Sequence, residues 1–249
     1  MKKFTLISSM IVLSILMIEQ GYAWEVPSYI RANAGVRMWF TNIEGDLIQR
    51  DRTKIGLGEN MGLTKEKLAW EFFASARFDN AHVFRLRVDP QTTYNQSSTD
   101  SYLQIRDWRL GYDLDFYMTP QILFGANIDL AIDGYDTKVS NVLVGGAPYN
   151  YRLEGNKVFP MLGIHGIFYP IVEGVALRPN IAARVNWWNY NDFETWEWEA
   201  LTGVDIPINM YWTWNVSGGY RYDHIKFKRE IDTMDLNRSG FYLETSLLF

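Results

Sequence analysis

The chain has 249 residues, with 24 Lys and Arg against 29 Asp and Glu, a net charge of −5 and no cysteine. That balance offers no basic patch for nucleic acid, and the lack of cysteine excludes a disulfide framework, thiol catalysis and Cys-based metal sites. Beyond the first two dozen residues no apolar run reaches the roughly 20 residues a spanning helix needs, although 10 Trp, 15 Tyr and 14 Phe are present.

In chain order the first element is an export signal. Met1-Lys2-Lys3 is a short basic segment, Phe4 to Ile18 is apolar, and Gly21-Tyr22-Ala23 places small residues where a signal peptidase reads. The pattern predicts a secretory signal peptide over residues 1–23, cleaved before Trp24, and leaves 24–249 as one exported domain. No cysteine follows the apolar stretch, so lipoprotein processing is excluded.

Alternating segments then predict ten strands, at 29–41, 66–78, 82–92, 102–117, 121–133, 158–169, 175–189, 194–208, 211–228 and 238–249. Eight strands, with 29–41 or 102–117 misjudged, is the competing count. Asp79-Asn80-Ala81, Thr119-Pro120, Ile171 to Gly174 and Ile208 to Met210 read as tight turns. The segments 42–65, 93–101 and 134–157 read as longer polar loops. Short turns on one side and long loops on the other is the arrangement of membrane barrels, with the short turns in the periplasm. A soluble β-sandwich would share the many strands but not this alternation.

The last strand, Gly240 to Phe249, puts Phe241, Leu243, Leu247 and Phe249 on one face and Tyr242, Glu244 and Ser246 on the other. This resembles the C-terminal assembly signal of bacterial outer-membrane β-barrels, in which a terminal Phe closes an alternating strand. The resemblance implies an all-β fold, a transmembrane antiparallel up-and-down barrel of the small class, in the outer membrane of a Gram-negative envelope. It also implies outer-membrane lipid, lipopolysaccharide and the barrel assembly machinery as partners.

A closed barrel satisfies every backbone polar group in lipid. Its strands alternate lipid-facing and lumen-facing residues. On the fifth strand Ile122, Phe124, Ala126, Ile128, Leu130 and Ile132 share one face and Gly125, Asn127, Asp129 and Asp133 the other. On the seventh, Val175, Leu177, Ile181, Ala183, Val185 and Trp187 oppose Arg178, Asn180, Arg184 and Asn186. Trp187, Trp188, Tyr190, Trp196, Trp198, Trp212, Trp214, Phe116 and Tyr117 fall near strand ends and predict an interfacial aromatic girdle.

The same alternation predicts a charged lumen. Arg31, Arg37, Arg77, Arg85, Arg87, Arg109, Arg178, Arg184 and Arg221 face inward. So do Glu71, Asp89, Asp107, Asp113, Asp115, Asp129, Asp133, Glu197, Glu199, Asp205, Asp223 and Glu244. Arginine makes planar bidentate contacts with carboxylates, and a small barrel is filled by side chains or leaves a narrow passage. The expectation is therefore a plug of ion pairs, with a charge-lined, porin-like pore as the alternative.

His165, between Gly163-Ile164 and Gly166, is the one imidazole placed for catalysis; Asp223 and His224 are adjacent and point to opposite sides of a strand. The inward Asp/His or Ser/His arrangements with an acidic orienter that omptin-type proteases and lipid A deacylases and acyltransferases carry are not matched in this chain. Thr53, Ile55, Leu57, Gly62 and Leu63 follow a T-x-I-x-L-x-x-x-x-G-L spacing. This resembles the stretch after the first strand of many small outer-membrane barrels, which usually carry Asp where this chain has Gly56 and Asn60. The carboxylates there are too few for a calcium loop, and no Lys-Ser/Thr of a phosphate cradle follows. No cofactor or metal site is expected. The functional expectation is an envelope-structural barrel or a narrow passage for small solutes. A surface hydrolase using His165, or an adhesin built from the 42–65 and 134–157 loops, are the alternatives.

Overall fold

The computed structural model describes residues 30–48, 53–63, 66–78, 81–95, 100–119, 121–144, 147–171, 177–191, 193–229 and 232–249. The predicted signal peptide at 1–23, Val175, and most of the predicted turn at Ile171–Gly174 lie outside these residues. The strands are β1 Ile30–Ile48, β2 Lys54–Gly56, β3 Lys67–Phe78, β4 His82–Asn95, β5 Tyr102–Thr119 and β6 Ile122–Val144. They continue as β7 Ala147–Phe168, β8 Arg178–Tyr190, β9 Phe193–Pro207, β10 Thr213–Arg229 and β11 Asp232–Leu248.

Each long strand pairs antiparallel with its sequence neighbour, β2 adds a short pairing on β1, and β11 pairs with β1 from Asn33↔Leu248 to Ile48↔Thr233. The sheet is thus a closed ring of ten strands with no free edge at the seam. A ladder followed from Glu44 of β1 through Asn237, His224, Trp196, Trp187, Leu162, Ile128, Tyr112, Phe84 and Ala76 returns to β1 at Ala32. The ring therefore closes with a stagger of twelve residues. With ~3.3 Å per residue and ~4.8 Å between strands, that stagger tilts the strands by about 40°.

Alternation sets the faces as expected. Ile128, Leu130 and Ile132 of β6 are exposed on the outside, while Asn127, Asp129 and Asp133 are buried inside. On β8 Ile181, Val185 and Trp187 are outward and Asn180 and Asn186 inward. Trp70, Phe72, Phe84, Leu86, Trp108 and Leu110 extend the apolar belt over β3, β4 and β5. Inverted burial, with apolar residues outside and charges inside, is stable only where lipid is the outer solvent. Of the predicted girdle, Phe116, Trp187, Trp196 and Trp212 are exposed on the outer face, and Tyr190 is exposed at the end of β8 with its ring beside Trp188. Trp198 is half-buried against Tyr220, and Trp214 Nε1 donates to Thr245 Oγ1 at 2.6 Å. The Tyr117 side chain lies outside the description. Trp188 is a correction: it turns inward and packs on the buried apolar cluster.

The outer strand ends differ from expectation. The segment 134–157, read as a polar loop, is a hairpin in which β6 and β7 continue to residues 144 and 147. Tyr135, Thr137, Val139 and Leu153 keep the inward alternation there, while outward Asp136 and Arg152 pair at 3.0 Å. Beyond the lipid the outward face is polar, so composition resembles a loop although the period is that of a strand. Within 93–101, β4 runs on to Asn95 after a bulge at Asp89/Thr92. Pro90 falls inside that bulge, where its missing N–H is tolerated. Within 42–65, β1 extends to Ile48 and residues 54–56 add β2.

Candidate functional site: the barrel lumen

The middle of the lumen is a lattice of arginines and carboxylates contributed by all parts of the ring. Arg221 of β10 reaches Glu71 at 2.5 Å, Asp223 at 2.7 Å, and both Asp107 and Glu197 at 3.2 Å. Arg238 of β11 reaches Asp223 at 2.9 Å and Asp89 at 3.0 Å. Arg109 holds Asp107 and Asp133, each at 3.0 Å. Arg37 gathers Glu244 at 2.7 Å, Glu199 at 3.0 Å and Glu71 at 3.3 Å. Arg85 bridges Asp129 at 2.7 Å and Asp113 at 2.8 Å, and Arg184 takes Asp113 in a two-pronged grip. Aromatic rings fill the layers between: Trp39 lies under both Arg221 and Arg238, and Tyr242 under Arg37. Planar guanidinium accommodates both the fork and the stack, which lysine cannot.

Two of these pairs cross the full ring. Arg87 of β4 meets Glu197 of β9 at 3.0 Å, and Arg221 of β10 meets Asp107 of β5; each pair lies five positions apart in a ring of ten strands. Side chains from opposite walls therefore touch across the axis.

Above the lattice, toward the β6–β7 hairpin, the lumen changes character and becomes apolar. Ile43, Leu47, Leu103, Ile105, Phe159 and Met161 form one buried cluster with Tyr135, Phe227 and Leu236. Into it folds the segment after β1. Ile55, Leu57, Met61 and Leu63 are all buried there. The segment hangs on β1 through three β2 rungs, the Leu57 N–H to Gly45 O bond of 2.9 Å, and Lys54 to Asp46 at 2.9 Å. The spaced motif now has a physical reading. Its Ile, Leu and final Leu are the inward apolar teeth, and Gly62 sits at φ 63, where a side chain is strained. Asn60 Oδ1 accepts the Gly56 N–H at 2.7 Å.

Below the lattice, near the short-turn end, lies a cavity of about 270 Å³. His165 reaches it from β7. Its Nε2 lies 2.6 Å from Asp115 Oδ1, and Asp115 Oδ2 lies 2.6 Å from Arg77. This gives His165 an acidic partner that the sequence reading had not assigned. No hydroxyl bonds its Nδ1, and buried Ser217 Oγ on β10 likewise has no hydrogen-bond partner among the described residues. An Asp–His pair with no positioned nucleophile lacks the mutual reach that covalent hydrolysis requires.

Every residue of the predicted lumen network except Arg178 enters the lattice: Arg37, Arg85, Arg87, Asp107, Arg109, Asp113, Asp129, Asp133, Arg184, Glu197, Glu199, Arg221, Asp223 and Glu244. Arg178 is exposed at the rim, stacked on the Tyr169 ring, and Arg31 is exposed near the start of β1. Arg184 stands opposite Glu199 in the β8–β9 register, and its guanidinium reaches past β7 and β6 to Asp113. Arg238 was missed, although extending the Tyr242–Glu244–Ser246 alternation back two rungs places it inward. The apolar outer lumen was also missed, because an inward face was read as a polar one.

A closed antiparallel barrel with an apolar belt and a charged interior is an outer-membrane β-barrel protein; the geometry defines that class. No family model and no curated protein matches the chain. Among solved structures it is similar to a FadL homologue of Pseudomonas aeruginosa, at 11% identity and TM-score 0.40 over 89% of this chain and 90% of that one. It is also similar to the outer membrane protease OmpT of Escherichia coli, at 8% identity and TM-score 0.39 over 92% and 99%. The outer membrane protein OprG of P. aeruginosa is matched at 7% identity and TM-score 0.37 over 90% and 96%.

Proposed function

We propose that this barrel is an envelope component that spans the outer membrane with its lumen shut. The observation that carries the reading is the pair of full-diameter contacts, Arg87–Glu197 and Arg221–Asp107, inside a lattice whose members are nearly all buried. Ions cannot pass such a lattice without separating charges in a confined, low-dielectric space. The apolar segment over the lattice supplies a second barrier, since a hydrophobic constriction excludes water. In this reading the partners are outer-membrane lipid and lipopolysaccharide on the belt, and the barrel assembly machinery during biogenesis. The test is conductance of the purified protein in a planar bilayer. The proposal expects no steady current at ordinary potentials, and a steady open channel in the wild type would overturn it. The cavity below the lattice favours one second reading, a narrow passage for small solutes that opens only when both barriers move.

A further inference from the structure

We propose that the apolar outer lumen is a binding chamber for an unfunctionalised hydrocarbon, and that residues 54–63 fill it as an internal stopper which such a molecule displaces. The chamber is walled from β1, β4, β5, β6, β7, β9, β10 and β11, with Leu103, Phe159, Phe193 and Leu236 among its side chains. Ile55, Leu57, Met61 and Leu63 are all buried in it.

The stopper is bonded as a separable unit. Within it the Asn60 N–H donates to Gly56 O at 3.0 Å, the Gly62 N–H to Gly58 O at 2.9 Å and the Leu63 N–H to Leu57 O at 2.8 Å. Its bonds to the barrel all run to β1: the rungs from Asp46↔Gly56 to Ile48↔Lys54, the Leu57 N–H to Gly45 O bond, and Lys54 to Asp46. The Lys54 side chain is 63% exposed, so solvent screens that last pair. No hydrogen bond or ion pair joins residues 54–63 to another strand of the ring among the described residues. Against those strands the stopper is held by hydrocarbon contact alone, which has no direction. Such walls do not distinguish a leucine side chain from an alkyl or phenyl group of similar bulk.

The walls also define what the chamber refuses. The two tyrosine hydroxyls beside it are already engaged: Tyr94 pairs with Thr41 Oγ1, and Tyr135 donates to Asp133 at 2.8 Å. A polar group on a ligand would lose its water and gain no partner in exchange. Close packing limits the occupant to about the bulk of the four side chains it replaces. The ion-pair lattice forms the floor, so the ligand enters and leaves at the outer end, and the assignment stands whether or not the lumen conducts.

The test uses the full mature chain in detergent micelles, labelled with carbon-13 at the methionine methyls. Met161 and Met234 report on the chamber and Met61 on the stopper. Met38, opposite Trp70 on the outward face, reports probe dissolved in the micelle. The probes are butylbenzene and its carboxylate counterpart of the same shape, 4-phenylbutyrate. Butylbenzene is expected to shift Met161 and Met234 saturably, with Met61 moving in step as the stopper leaves. Replacing residues 53–63 by a Gly-Ser linker removes the competing occupant and is expected to lower the half-saturation point by about ten-fold or more. 4-Phenylbutyrate is expected to bind about ten-fold more weakly or worse, because its carboxylate must be desolvated. It also tests whether Lys157, with its ammonium 5.7 Å from the Phe227 ring, admits an anion. If heat-shifted gel mobility shows that the linker variant does not fold, Ile55→Ser with Leu57→Ser replaces it. Shifts at Met161 and Met234 no larger than at Met38, an unchanged half-saturation point without the stopper, or equal affinity for 4-phenylbutyrate would each overturn the assignment. Current tests the closed lumen and methyl shifts test the chamber, so either reading can fail alone.

Discussion

Arg87 of β4 and Glu197 of β9 stand on opposite walls of the ring, and their side chains meet at 3.0 Å. Neither strand is near the other in sequence or along the sheet. The contact exists because closure bends ten strands round until the inward faces of its two halves confront each other. Around it Glu197 also receives Asn186 Nδ2 at 2.6 Å and Arg221, so one carboxylate ties β4, β8 and β10 together.

This shared burial makes the cost of a single deletion uneven across the lattice. Arg221 is almost wholly buried and touches four carboxylates, so Arg221→Ala strands several charges at once. Breaking a buried pair by removing one partner costs about 3–5 kcal/mol, and this variant is expected at or above that range. Arg184→Ala loses one partner, Asp113, which retains Arg85, and is expected to cost clearly less. Urea midpoints of both variants in lipid vesicles measure the difference; equal costs would mean the charges are screened.

The two lumenal barriers are predicted to act in series. Replacing residues 53–63 by a Gly-Ser linker removes Ile55, Leu57, Met61 and Leu63 from the outer mouth but leaves Arg87–Glu197 in place. The barrel should still fold and still pass no steady current. Combining that replacement with Arg87→Ala should produce brief openings in a planar bilayer. A steady current from the linker variant alone would assign the seal to the 53–63 segment.

On the lipid face, Ile128→Arg is expected to destabilise the barrel by about 2–4 kcal/mol if the position lies near the bilayer midplane, and Ile128→Ala by much less. Asn127, one residue away, is no neutral control: its Nδ2 donates to Asn186 Oδ1 at 2.6 Å inside a crowded lumen. Unfolding followed by tryptophan fluorescence separates the two Ile128 variants. Indistinguishable midpoints would contradict a lipid-facing Ile128.

The seam supplies the fourth prediction. Phe249 exchanges two backbone hydrogen bonds with Ala32, at 2.7 and 2.9 Å, and its ring packs beside Trp212. Phe249→Asp places a charge on the outer face at the strand pair that closes the ring, where an unformed seam leaves two edges open. The variant should show a smaller heat-shifted folded fraction in the outer membrane. Wild-type levels would remove Phe241, Leu243, Leu247 and Phe249 as an assembly signal.

Much of this barrel was legible in the chain because period-2 alternation is a local property. Ile128 and Asp129 fall on opposite faces for the same reason wherever the strand lies, and each predicted strand coincides with one of the ten in the ring. Alternation likewise put Arg37, Arg221 and Glu71 on the inward face without knowledge of any partner. What alternation cannot carry is distance across the axis. Only closure with a stagger of twelve residues sets Arg184 against Asp113 rather than its strand neighbours, and brings Arg238 to Asp89. The apolar outer lumen was hidden for a related reason: Ile105 and Asp107 share one inward face, and whether that face meets charge or hydrocarbon depends on what folds over the mouth. The 53–63 segment decides that, because burying Ile55, Leu57, Met61 and Leu63 against the inner wall removes their apolar surface from water. Local sequence thus determined strand, face and class, and the three-dimensional closure of the ring determined which charges pair across it.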